Sequence, residues 1–116
     1  MYDEDQSILL SIKHALGLTE EYDHFDPDII MHINSVLMIL NQIGIGPAEG
    51  IIVSNENQVW TDITTDISKL SAIKSYVYLR VRLLFDPPSS SFVLSSMENQ
   101  SKELEWRLNV MVDPKT

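Results

Sequence analysis

The sequence predicts an all-α fold, a small bundle of three main helices plus a short N-terminal helix, with a loop or small β-hairpin between the second and third helices. Three observations predict it. Apolar residues recur at three- and four-residue spacing over long segments, strong glycine and proline signals punctuate those segments, and the β-prone pieces are few and short. The 116 residues and 13.2 kDa set a single domain over 1–116 with one core, and the ends, 1–5 and 112–116, read as flexible tails.

The first helix is expected over Gln6–Leu16. Ile8, Leu9, Ile12 and Leu16 share one face, acids precede it and Gly17 is placed to end it. The second starts with Asp26 as N-cap, Pro27 at the first helical position and Asp28 in the first turn, with Phe25 able to staple onto Ile30. It runs to about Gln42. Its apolar set, Ile29, Ile30, Ile33, Val36, Leu37, Leu40 and Ile43, covers so wide an arc that more than one neighbour must bury it.

Glycines and a proline in "IGIGPAEG" then break the helix. Two β-prone pieces follow, Ile51–Val53 and Gln58–Trp60, separated by the turn residues "SNEN". A hairpin and an ordered loop fit equally well, and "WTDI" reads as one helical turn capped by Thr61 or Asp62. The third helix is expected from about Ile67 to Phe85, with Leu70, Ile73, Val77, Val81 and Leu84 inward. Its second half is so apolar that it reads as the central helix, interrupted by Arg80 and Arg82, which snorkel or pair with acids.

"LLFDPPSSSF" makes the corner. Asp86 precedes a proline and is pushed out of helical geometry, Pro87 and Pro88 prevent continuation, and one of Ser89–Ser91 restarts a helix that runs to about Val110. The stripe of this fourth helix is Val93, Met97, Leu104, Leu108 and Met111. Glu98 with Lys102 and Glu103 with Arg107 are ion-pair spacings that contribute about 0.3–0.5 kcal/mol each. Trp106 falls between the faces as a flank of the core or an exposed anchor.

Composition excludes several functions. Without cysteine there is no disulfide, thiolate metal site or cysteine nucleophile, and an intracellular origin is the default. The start lacks the basic residues of an export signal, and the longest uncharged stretch, Ile29–Ala48, holds His32, two asparagines and a proline, unlike a membrane span. A formal net charge of -9 opposes sequence-specific nucleic-acid binding. The charge is polarised: acids gather in "YDEDQ" and "TEEYDHFDPD", while most basic residues lie from Lys69 onward, which favours oriented protein contacts.

The one cluster resembling a site is Glu20, Glu21, Asp23, His24, Asp26 and Asp28 with His32, carboxylates and histidines of the kind a metal takes. Its spacing matches no calcium loop or zinc site, and helix capping with an acidic loop accounts for it. His14 late in the first helix is explained by the helix dipole. "GIGPAEG" follows no strand and is followed by no Gly-Lys-Ser/Thr, so it is no phosphate loop. No cofactor, metal ligand or catalytic residue is expected.

"INSVLMILNQIGIGP", the "VWTDI" turn and above all "IKSYVYLRVRLLFDPPSSSFVLSSMENQSKELEWRLNV" resemble the head-to-tail connector (adaptor, head-completion) proteins of long-tailed phages and prophages of Gram-positive bacteria. The resemblance covers roughly Ile33–Val110. It implies a non-enzymatic virion protein, made in the host cytoplasm, that self-associates into a dodecamer-like ring below the portal protein, extends the DNA channel and docks a stopper or tail completion protein. No membrane is involved and DNA passes only through the lumen. A ring needs two different patches that meet head to tail. Arg80, Arg82, Lys102, Trp106 and Arg107 are the candidate interface residues, facing acids of a neighbour's N-terminal half, and Asp86, Pro87 and Pro88 are the structural corner. The alternative reading is a small phage regulatory or chaperone-like protein-binding module.

Overall fold

The computed structural model describes residues 6–112, which form four α-helices and no β-strand. They are α1 (Ile8–Ala15), α2 (Asp26–Ile43), α3 (Ile67–Phe85) and α4 (Ser91–Val112), with a 3-10 turn at Trp60–Asp62. The expected tails 1–5 and 113–116 lie outside the described residues. Val112 does not belong to a tail, since it closes α4 and packs against the core.

α1 is shorter than its apolar pattern because the residues before it have another partner. Ser7 is extended and forms an isolated antiparallel bridge with Val59, flanked by the backbone bonds Ile8 N to Gln58 O and Trp60 N to Gln6 O, both 3.0 Å. The Ser7 hydroxyl accepts from Leu10 N at 3.2 Å and caps the helix. Ile8, Leu9, Leu10 and Ile12 are then buried, and the Trp60 indole N–H donates to Ser11 Oγ at 2.8 Å.

α2 starts where Pro27 requires, but the expected N-cap is corrected: Phe25 occupies the cap position with no side-chain bond. Asp26 serves a tertiary contact. Its Oδ1 lies 2.9 Å from the Nζ of Lys13, which is 1% exposed and also donates to the Glu20 carbonyl at 3.0 Å. One buried ammonium thereby ties α1, the acidic loop and α2 together. At the far end Gly44 takes φ 110°, where a β-carbon would also stand 2.9 Å from Val112 Cγ1.

The segment 44–59 is a loop. Its two β-prone pieces do not pair with each other: Val59 pairs with Ser7, and Val53 is clamped by Asn34 of α2, whose side chain accepts from Val53 N at 2.8 Å and donates to Val53 O at 3.0 Å. Gln58 Oε1 closes the "SNEN" turn by accepting from Ser54 N and Asn55 N.

α3 has the expected bounds. Asp66 caps it, accepting from Ser68 N and the Ser68 hydroxyl, and that hydroxyl bond first of all holds its carboxyl below the usual range. Leu70, Ile73, Tyr76, Val77 and Val81 are buried between α2 and α4, but Leu84, at the end of the stripe, is 50% exposed. The fourth helix departs further from its pattern: only Ser101 and Leu108 are buried, and Val93 and Met111 are exposed. The structure measures 46 × 39 × 20 Å, about two helices thick, and no described element covers the outer side of α4.

The corner between α3 and α4 forms as expected. Asp86 leaves the helix at φ -147°, ψ 67°, and Ser90 Oγ accepts from Val93 N at 3.3 Å. The α3 end is fixed by Phe85, whose ring meets Phe25 edge-on at 5.3 Å. Replacing Pro87 and Pro88 together with alanine is expected to lower the unfolding free energy by about 1–2 kcal/mol, because the unfolded chain gains freedom at both positions. Urea unfolding measures it.

Candidate assembly surface

The candidate interface residues all lie on α3 and α4 or at their corner, and the seam between those helices sorts them. Tyr76 is the main bridge across it. Its ring is fully buried, its hydroxyl donates to Glu105 Oε1 of α4 at 3.1 Å, and Arg80 stands over the ring at 5.8 Å. Burial first, with the Glu105 carboxylate adding, pushes the Tyr76 phenol up to about 12, against the opposing pull of Arg80. The sequence showed Tyr76 only as part of an apolar half-helix. Its position between the stripes at 73 and 77 was the available signal.

This shift has a stability consequence. The phenol's value of about 12 in the folded chain lies above its ordinary 10.0, so the folded state holds the proton more tightly. The stabilisation is complete below pH 10 and is lost as pH rises through the folded value, amounting to at most about 3 kcal/mol, less what solvent screening at the hydroxyl removes. Thermal melts between pH 9 and 11.5 are expected to show a falling midpoint that Tyr76→Phe flattens.

Clefts flank the seam. A notch of ≈ 410 Å³ is lined by Arg80, Leu83, Leu84, Glu98, Ser101 and Lys102. Another cleft, of ≈ 450 Å³, includes Tyr78, Glu103 and Arg107 in its lining. Arg80 and Lys102 are therefore brought together, whereas Arg107 lines the other cleft and is bound to Glu103 Oε2 at 2.8 Å. The second ion-pair spacing is not used, since Glu98 and Lys102 form no ion pair among the described residues. Arg82 belongs to the corner: its Nε donates to the Asp86 carbonyl, its guanidinium lies 3.9 Å from the Asp86 carboxylate, and Nη1 donates to Tyr78 Oη at 3.4 Å. Arg82 with Asp86 thus caps α3 as the chain enters Pro87 and Pro88.

Trp106 is 65% exposed and points outward instead of flanking the core. It shares the outer face of α4 with Phe92 and Val110, 82% and 54% exposed. Spacings of fourteen and four residues put them on one line along the helix. The acidic loop holds no metal-binding cluster: among the described residues no group of three or more His, Asp or Glu is placed to hold an ion. No described helix is long and apolar enough to cross a membrane.

The family model described as "Phage connector protein" matches residues 8–115. No curated protein and no solved structure matches the chain.

Proposed function

Because the chain belongs to the phage connector proteins, we propose that it is a structural component of the virion at the head–tail junction, where copies form a ring below the portal, extend the DNA channel and present a platform for the stopper or tail. The observation that carries this reading is the family match over 8–115, spanning every helix. The surface suits it. A 22-residue helix with two buried residues and a line of exposed apolar side chains is built for contact with other protein. No catalysis forms part of the proposal.

We assign Trp106 and the basic residues Arg80, Arg82, Lys102 and Arg107 to contacts with neighbouring copies or the portal. The negative charge suits a DNA conduit, because a lumen rich in Lys and Arg would grip passing phosphates. Mass spectrometry of purified particles tests the function: the chain is expected in them, and its deletion is expected to leave DNA-filled heads without tails. Absence from particles would replace this reading with a regulatory or chaperone-like one. For the surface, Trp106→Ala is expected to change the isolated chain's unfolding free energy by no more than about 0.5 kcal/mol, since the ring is largely solvated. The same variant is expected to lower incorporation into particles, measured by quantitative mass spectrometry.

A further inference from the structure

Of the basic side chains on α3 and α4 considered for assembly, Arg82 and Arg107 have carboxylates within their own chain, Asp86 and Glu103. Arg80 and Lys102 have none among the described residues, and both line the same notch. Arg80 rests on the Tyr76 ring, which positions its guanidinium while leaving the N–H donors unused. The floor adds Leu83 and Leu84, and beside them Ser101, 2% exposed, whose hydroxyl has no hydrogen-bond partner.

The complementary set lies at the other side of the sequence. Glu20, Glu21 and Asp23 are exposed, and none of their carboxylates has a partner among the described residues. Their loop is nevertheless fixed. Lys13 holds the Glu20 carbonyl and Asp26, Tyr22 N donates to Thr19 O, Asp26 N donates to Asp23 O, and the Tyr22 ring packs edge-on against Phe25 at 5.9 Å. Tyr22 remains 46% exposed between the acids. A preorganised loop with an aromatic between carboxylates loses little entropy on docking.

We propose that the notch of Arg80, Leu83, Leu84, Ser101 and Lys102 receives the Glu20–Asp23 loop of a second copy of this chain, carboxylates to the two cations and Tyr22 to the leucines. The proposal rests on the ring reading above and deepens it by naming the two patches. They are different patches on one chain, so the contact can repeat head to tail, as ring closure needs, and a reciprocal dimer would stop the ladder at two copies. Glu98, also on the lining, disfavours a carboxylate set directly against it.

The absence of cysteine makes the test direct. Particles are produced with Asp23→Cys and Lys102→Cys in the same chain, oxidised, and run on a non-reducing gel. A ladder beyond the dimer is expected, because each copy offers both halves of a bond, while either single variant stays at monomer mass. In parallel, Lys102→Glu is expected to lower incorporation about tenfold, and adding Glu21→Lys and Asp23→Lys to restore most of it. An incorporated double-cysteine chain without a ladder overturns the contact but leaves the connector reading standing, and so does a charge swap that fails to rescue. Absence of the wild-type chain from particles overturns both.

Discussion

Lys13→Ala is expected to lower the unfolding free energy by about 2–4 kcal/mol, a large share of what a domain of this size holds. The ammonium is 1% exposed, and its removal strands Asp26, 24% exposed, and the Glu20 carbonyl. Breaking one side of a buried pair leaves the other charge uncompensated, which is why the loss exceeds that of a surface pair. The residual solvation of Asp26 holds the figure toward the lower part of that range. Denaturant unfolding of Lys13→Ala, Asp26→Asn and the double variant measures it. Strong coupling is expected, the double variant being less destabilised than the sum of the singles. Additive effects would mean that the two groups do not depend on each other.

Leu108→Ala is expected to cost about 2–5 kcal/mol and to act on one helix more than on the rest. Leu108 is the only fully buried apolar side chain of α4, with Leu104 and Val112 merely packed at the margin. Truncation opens a cavity where α4 buries its one fully enclosed apolar side chain, leaving the Tyr76–Glu105 bond and the margin contacts of Leu104 and Val112 to hold the helix. Hydrogen exchange should therefore accelerate along 91–112 while the amides of α2 keep their protection. Uniform acceleration across all four helices would show instead that α4 is an inseparable part of one cooperative unit.

The sequence made some elements legible and hid others for identifiable reasons. α3 was readable because Leu70, Ile73, Val77 and Val81 repeat at helical spacing up to the stop at Asp86, while its cap at Asp66 came to light only in the structure. The corner was equally clear, since proline chemistry is local. Asp26 was misread as a cap because its true partner, Lys13, is thirteen residues away, and a cation late in a helix ordinarily suggests dipole interactions at the surface. The choice between hairpin and loop turned on Ser7 and Asn34, neither adjacent to the segment.

The candidate surface was legible in part. Residue type and helical position placed Trp106 and the four basic residues on α3 and α4, but not which cations were already taken. That depended on rotamers at Asp86 and Glu103 and on the stacking of Arg80 over Tyr76. The over-read stripe of α4 has a related cause. Apolar periodicity reports that a face seeks cover, and Val93 and Met111 find only partial cover among the described residues.

The bridge between Ser7 and Val59 fixes an order of events. It joins residues far apart along the chain, whereas α3 and α4 meet through a tight corner, so loop-closure entropy favours the latter hairpin early and α1 last. Docking of α1 after the folding barrier would dehydrate the Lys13 charge on the native side of it. Its removal should leave the refolding limb of a chevron almost unmoved and steepen the loss from the native side, so that the buried ammonium governs how long an assembled subunit stays folded instead of how fast it forms.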